Sequence, residues 1–236
     1  MSVALVEVEA ALRARGLAPR GAFHLVVSDG VSALPDGRSV GTLVLAGNVG
    51  ASLWASFARE RRAEPEPLDR WSARVLGEIA ARFDAAVVLP GDGPPRPPFL
   101  RWAQRAESVH PSPLGLLIHP DHGLWHAYRG ALAFSERLAL PVRDTRESPC
   151  TSCRERRCLA ACPVGAFTTA GYDDTACAAH LESGAGAACF EFACLARVAC
   201  PVARKHRYPP EQARFHLSAF LRGRRAAADR GSLSSH

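Results

Sequence analysis

The stretch that decides the fold of the C-terminal part runs from Cys150 to Val202 and reads CTSCRERRCLAACPVGAFTTAGYDDTACAAHLESGAGAACFEFACLARVACPV. It contains all eight cysteines of the 236-residue chain, in two groups that each end in Cys-Pro-Val. The first group consists of Cys150, Cys153, Cys158 and Cys162, and the second of Cys177, Cys189, Cys194 and Cys200. In a compartment where disulfides are rare, cysteines clustered in this way usually bind metal.

Two [4Fe–4S] clusters need eight thiolates, which is the number that the chain supplies. In two-cluster ferredoxins the cysteine before the proline ligates the other cluster. That rule predicts one set of Cys150, Cys153, Cys158 and Cys200, and a second set of Cys162, Cys177, Cys189 and Cys194. The spacing differs from the common ferredoxin pattern, so the pairing stays open. Two zinc sites or metal-free thiols are the alternatives, although zinc ribbons do not need a Cys-Pro-Val-Gly-Ala turn.

The net charge of +6 comes from the C-terminal end. Of 29 Lys and Arg residues, eight lie from Pro201 onward, against two of the 23 acidic residues. This end is either a solvated face or a docking surface for an acidic partner such as a flavodoxin, a corrinoid phosphate or RNA. The sequence contains no apolar run long enough to predict a membrane span. The stretch from Met1 to Gly16 lacks a basic leader, so a cytoplasmic protein is expected.

The N-terminal part predicts an α+β fold with one mostly antiparallel sheet. Helices are expected at Val3–Arg15, Ser52–Arg62, Asp69–Phe83, Phe99–Glu107 and Pro209–Leu221, and Asp69 is expected to cap the third of them. Strands are expected at Ala22–Val27, Thr42–Ala46, Ala85–Leu89, Leu114–Ile118 and Leu124–Phe134. The expected domains are an N-terminal domain at 1–142, an iron–sulfur domain at 143–225 and a flexible tail at 226–236.

A family resemblance rests on the segment from His119 to Gly130, which reads HPDHGLWHAYRG. It resembles, without a gap, the His-Pro-x-x-Gly-Gly-Trp-x-Ala-x-Arg-Gly motif of CblC-type cobalamin-processing proteins, and departs from it at Leu124. Weaker similarity extends over 21–134. The resemblance implies a nitroreductase-like or flavin-reductase-like sheet with helices that binds cobalamin. The implied corrinoid contacts are Gln104, His119, Gly123, Trp125 and Arg129.

Each of these residues also has a structural interpretation. His119 could bond to backbone at a strand end, and Trp125 could fill the core. Gly123 could be a plain turn residue. Arg129, in an apolar strand, needs an anionic or carbonyl partner, which could be a corrin amide, a phosphate or a protein acid. His126 is expected at the surface or in a turn.

The cysteine order resembles the ferredoxin module of epoxyqueuosine reductases and reductive dehalogenases. In both families that module feeds electrons to cobalamin. The combined resemblances imply an oxidoreductase that removes the upper ligand of cobalamin, such as cyanide, with electrons from a donor such as a flavodoxin or a reductase. No catalytic residue is assigned. The alternatives are epoxyqueuosine reductase-like chemistry on tRNA, although a nucleic-acid partner is not the main expectation, and a ferredoxin-type electron carrier.

Overall fold

A computed structural model describes residues 3–30 and 33–233, which divide into two compact units. The sheet unit comprises residues 1–110 and 126–148, and the cysteine unit comprises 111–125 and 149–236. The expected division at 142/143 therefore differs in two respects: residues 111–125 belong with the cysteines, and residues 143–148 belong with the sheet. Among the described residues, no helix has both the length and the apolar character needed to cross a bilayer.

The sheet unit contains an antiparallel sheet, so the predicted antiparallel α+β architecture is confirmed. Its strands lie side by side in the order β1 (Ala18–His24), β2 (Thr42–Val49), β6 (His126–Phe134) and β3 (Ala86–Val88). Its elements in chain order are α1 (Leu5–Ala14), β1 (Ala18–His24), β2 (Thr42–Val49), α2 (Trp54–Glu60), α3 (Pro67–Arg82), β3 (Ala86–Val88), α4 (Phe99–Ala106) and β6 (His126–Phe134). β4 (His110–Pro111) and β5 (Leu117–Ile118) precede β6 in the chain. The strand expected at Leu114–Ile118 is thus reduced to its last two residues.

The core of the sheet unit lies between the central strands and α3. Leu43, Leu45 and Leu132 of the sheet are fully buried. α3 packs against β6 through a buried stripe that includes Val75 and Ile79, as its four-residue repeat predicts. The predicted cap was wrong: α3 begins at Pro67, so Asp69 lies within its first turn. β3 was expected to be buried, but it is a half-buried edge strand.

A β-bulge in β6 determines where Arg129 points. Ala46 of β2 pairs with Gly130, but the next residue, Gly47, pairs with Tyr128, so Arg129 is the extra residue. Bulges of this kind re-aim a side chain, and here the Arg129 guanidinium meets Asp69 of α3. Gly130 lies inside the strand beneath Leu76.

The cysteine unit is built from short elements around the thiols. They are α5 (Arg157–Ala160), β7 (Phe167–Thr168), β8 (Gly171–Tyr172), α6 (Asp174–Glu182), α7 (Ala187–Phe192), α8 (Leu195–Ala199) and α9 (Pro210–Leu233). α9 was expected to end at Leu221 before a flexible tail. It instead continues through Ala226 to Leu233, and residues 234–236 lie outside the described part.

A substitution at Gly47 tests how closely the central strands β2 and β6 approach each other. A Cβ at this position would lie 1.9 Å from the Ala127 carbonyl oxygen, and the strand backbone has no room to retreat. Gly47→Ala should lower the free energy of unfolding by more than about 3 kcal/mol, measured by urea unfolding of the full chain. Gly77→Ala in α3 is the matched control, because a Cβ there meets nothing within 4 Å. It should gain about 0.5 to 1 kcal/mol from helix propensity; equal losses in both variants would contradict the packing argument.

Candidate functional site

The first predicted set of thiols lies around the contact of α5 with α8. One cluster of buried side chains, which includes Leu114 and Ile118, packs with members of both predicted sets: Cys150, Cys158 and Cys200 of the first, and Cys162 and Cys194 of the second. Burial raises the pKa of the Cys158 thiol, and the nearby sulfurs of Cys200 and Cys153 raise it further. Burial also raises the pKa of Cys200, and Cys153 adds to the effect. The sulfurs of Cys153, Cys158 and Cys200 thus lie close enough to act on one another.

The second predicted set lies where α6, α7 and the start of α8 meet. Burial raises the pKa of Cys194, and the sulfurs of Cys189 and Cys177 contribute in the same direction. The pKa of Cys189 is likewise raised by burial, and then by Cys177 and Cys162. Burial also raises the pKa of Cys177, although a hydrogen bond from Tyr172 opposes the shift.

Backbone amides point at sulfur in both sets. The Ala166 amide donates to Cys162 Sγ at 3.3 Å. Other backbone groups bond to Cys158, Cys189, Cys194 and Cys200, and each of these bonds lowers the thiol pKa against the effect of burial. Amide donors to cysteine sulfur are among the features that stabilise and tune iron–sulfur clusters. In the described part of the chain, no three His, Cys, Asp or Glu side chains are grouped so as to hold a single metal ion.

The two Cys-Pro-Val turns share one backbone feature. The fourth residue of each is left-handed: Gly165 has φ +58° and Ala203 has φ +56°. Only one of them is a glycine, so Ala203 holds a conformation that L residues rarely adopt. Arg156 and Ala193, which precede Cys158 and Cys194, also have positive φ. Such strained residues concentrate at functional sites.

Arg197 holds α8, the helix between Cys194 and Cys200. Its guanidinium lies 4.4 Å from the centre of the Trp125 ring and 4.5 Å from that of Tyr208. Its Nε donates to the Leu124 carbonyl at 3.0 Å, and its Nη2 donates to the same oxygen. Trp125 is fully buried in this contact. Trp125 therefore lies in the core of the cysteine unit, which was the structural alternative to a corrinoid contact.

His119 and Gly123 close a small loop within the cysteine unit. Their backbones exchange two hydrogen bonds, of 2.9 and 2.8 Å. Gly123 has φ +58°, and a Cβ there would lie 2.5 Å from the Val202 carbonyl oxygen. His119 is 6% exposed and stacks on His122 at 4.2 Å. Gly123 thus allows the loop to lie against the second Cys-Pro-Val turn.

Arg129 and Gln104, the other two predicted corrinoid contacts, lie in the sheet unit. Arg129 Nη1 donates to Asp69 Oδ1 at 3.1 Å, so a protein acid supplies the anionic partner that the sequence requires. Its Nε is buried without a hydrogen-bond partner among the described residues. Arg129 and Tyr128 line a cavity of about 700 Å³ beside α3. Gln104 is half-buried on α4, and its backbone carbonyl accepts from Arg143 at 2.6 Å.

The sheet unit also holds a buried polar network that sequence reasoning missed. Arg20, fully buried, donates from Nε to Glu107 at 2.9 Å, and its Nη2 lies 3.1 Å from His126 Nδ1. Tyr128 donates to the same Glu107 oxygen at 2.9 Å. Burial raises the pKa of both Glu107 and Tyr128. The surface position expected for His126 was wrong, because it is 8% exposed. The alternation of polar and apolar residues at the start of β6 was the available signal.

Removing Arg197 should destabilise the cysteine unit. Arg197→Ala loses the bonds to Leu124 and the contacts with both rings, at an expected cost of about 2 to 4 kcal/mol in thermal or urea unfolding of the full chain. Arg197→Lys keeps a cation over the rings but loses the planar fork, so its cost should be intermediate. If the alanine variant is as stable as the parent, α8 does not depend on this contact.

Comparisons with known proteins add one similarity of fold. No family model matches the chain, and no curated protein matches it significantly. Among solved structures, the chain is similar to the epoxyqueuosine reductase crystallised with a tRNA-Tyr epoxyqueuosine-modified stem loop. The identity is 13%, the match covers 88% of this chain and 69% of that one, and the TM-score is 0.49. A likeness at this level identifies neither a substrate nor an activity.

Proposed function

We propose that this chain is an iron–sulfur oxidoreductase whose cysteine unit holds two [4Fe–4S] clusters. One observation supports the proposal: the eight cysteine sulfurs lie close together. Five of them belong to residues that pack on one buried cluster, the sulfurs of Cys153, Cys177 and Cys189 act electrostatically on their neighbours, and backbone amides donate to several of these sulfurs. The first set is Cys150, Cys153, Cys158 and Cys200, and the second is Cys162, Cys177, Cys189 and Cys194. This is the ferredoxin-like pairing in which each cysteine before a proline serves the other set.

The chemistry of the donors fits iron–sulfur clusters. All eight ligands are thiols, and all are free of disulfides. Without iron, burial and neighbouring sulfurs disfavour the ionised thiolates. Binding of positively charged iron would offset the free energy needed to ionise these buried thiols. When bound, the clusters supply one-electron transfer, which no side chain in the described residues can provide by itself.

The residues around the thiols fix and tune the two sets. The short helix α8 lies between Cys194 of one proposed set and Cys200 of the other. Arg197 holds that helix on Trp125 and Tyr208, so it fixes the distance over which an electron moves between the sets. The amides of the two Cys-Pro-Val turns stabilise negative charge on sulfur.

The electron acceptor that we propose is a corrinoid whose upper ligand is removed by reduction. The His119–Gly130 likeness to the CblC-type motif supports it, and so does the cavity beside Arg129, whose Nε points to no described acceptor. Within this proposal Arg129 and Gln104 contact the corrinoid periphery. His119, Gly123 and Trp125 support the second Cys-Pro-Val turn, and their part in corrinoid binding is indirect.

Epoxyqueuosine reductase-like chemistry on tRNA is the second candidate, favoured by the order of the cysteines. A strain lacking the gene separates the two, because only the tRNA activity would leave queuosine missing from its tRNA. A ferredoxin-type carrier without its own substrate would have no affinity for either ligand.

Single cysteine substitutions test the two sets. The protein purified without oxygen should contain about eight iron and eight sulfide per chain. Cys153→Ser and Cys189→Ser should each lower the iron content to about four, because each removes a ligand from a different set. Ser152→Ala, beside Cys153, is the control and should retain all iron. Zinc in place of iron, or no metal in the folded parent, would refute the proposed function.

Cyanocobalamin tests the acceptor. Added to the reduced, iron-loaded protein, it should show the spectrum of a form with the nucleotide base displaced, followed by loss of cyanide. Arg129→Ala should weaken binding about tenfold, as expected for one lost charged hydrogen bond, whereas Arg101→Ala at an exposed site of α4 should not. An unchanged cobalamin spectrum with intact clusters would exclude the corrinoid and leave the iron–sulfur assignment standing.

A further inference from the structure

The first set of thiols is flanked by exposed cations on two sides. On one side, Arg154 and Arg156 lie in the loop that joins Cys153 to Cys158. On the other, Arg204 and Lys205 follow the Cys200-Pro-Val turn. Arg204 acts electrostatically on the Cys200 sulfur, which places this cation next to the thiols. We call Arg154, Arg156, Arg204 and Lys205 the basic collar.

The collar is not neutralised within the cysteine unit. None of its four residues forms an ion pair with a described residue, whereas the neighbouring Arg157 is paired with Glu155. Arg224 and Arg225 of α9 are likewise paired, with Asp174 and Glu182. The collar thus places four unpaired cations around the first set, whereas Arg214 and Arg222, which also form no ion pair with a described residue, lie on α9.

The backbone presents these cations on strained turns. Arg156 has φ +43°, and Ala203, directly before Arg204, has φ +56°. Left-handed conformations of residues other than glycine cost free energy and persist where the surrounding structure enforces them. Both turns that carry the collar are thus held in defined shapes on either side of the same thiols.

From these observations we propose that the basic collar is the docking surface for a small acidic redox protein that delivers electrons to the first set. The proposal rests on the proposed function. On docking, one electron leaves the reduced flavin of the donor and is taken up at the first set, so the donor is oxidised by one electron and no bond forms or breaks. Opposite charges around both redox centres would speed encounter and bring the centres close.

Nucleic acid fits the collar less well. Proteins that bind single strands combine cations with aromatic side chains on which bases stack. The described exposed aromatic residues of the cysteine unit, Tyr172 and Phe192, instead adjoin the second set, beside Cys177 and Cys194. The collar offers charge without a stacking surface.

The test measures electron entry by stopped flow with flavodoxin hydroquinone as the acidic probe and the iron-loaded full chain. The collar variant combines Arg204→Glu with Lys205→Glu. Its control combines Arg214→Glu with Arg222→Glu, the same change of charge at two exposed positions of α9. At about 0.1 M salt the collar variant should be reduced at least tenfold more slowly than the parent, and the control less than twofold. At about 1 M salt, where the screening length falls from about 10 Å to about 3 Å, the variants should converge.

The iron content and the extent of reduction by dithionite are measured first for each protein. A folded parent protein that contains no iron would refute both the proposed function and the docking surface. With clusters intact, equal slowing of both variants would overturn the collar, because the effect would then belong to the whole charge of the unit. A collar variant with an unchanged flavodoxin rate and weakened binding of an RNA stem-loop would assign the surface to nucleic acid instead.

Discussion

The cysteine unit depends on the cost of placing several thiols together away from water. Burial disfavours thiolates, and each neighbouring sulfur makes the next ionisation harder, as the raised pKa values of Cys158, Cys189, Cys194 and Cys200 show. A fold that gathers eight such groups needs compensation. Part of it is present in the chain as amides directed at sulfur, and we propose that iron supplies the rest. The short helices and strained turns follow from this constraint, because they bring sulfur and amide together.

The sheet unit meets a similar cost by different means. Arg20 lies fully buried within β1, where the register of that strand shifts. Its charge is balanced by Glu107, which also accepts from Tyr128, and its Nη2 lies next to His126. Ion pairs of this kind stabilise little by comparison with well-packed apolar groups, but breaking one leaves a buried charge behind. The network therefore makes the pairing of β1 with the rest of the sheet intolerant of change. It also explains why polar residues open β6 before its apolar run.

Local patterns predicted the elements of the fold better than the roles of individual residues. The stripe of α3 and the apolar run of β2 follow from periodicity, which needs no tertiary information. The cap expected at Asp69 did not form, because Pro67 is well suited to the first turn and the chain entered the helix earlier. The end of α9 was misplaced because small and basic residues favour helix as readily as they favour a loose end.

The predicted site divides in the same way. The ferredoxin rule grouped the cysteines into two sets, and that pairing stays a prediction, because Cys162 and Cys194 pack on the same buried cluster as Cys150, Cys158 and Cys200. The partners of Arg129 and Trp125 could not be predicted, because Asp69 and Arg197 lie far away in sequence. The twelve-residue motif is divided between the two units after Trp125. Its first part, up to Trp125, belongs to the cysteine unit, and its last part belongs to strand β6, so one continuous segment has two structural roles.

The paired Cys-Pro-Val turns bear on how such modules can be recognised in other chains. Gly165 and Ala203 share a left-handed φ, of +58° and +56°, although no pattern that demands glycine at the fourth position would retrieve both. A search for such modules is therefore better keyed to Cys-Pro-Val followed by any left-handed residue than to Cys-Pro-Val-Gly alone.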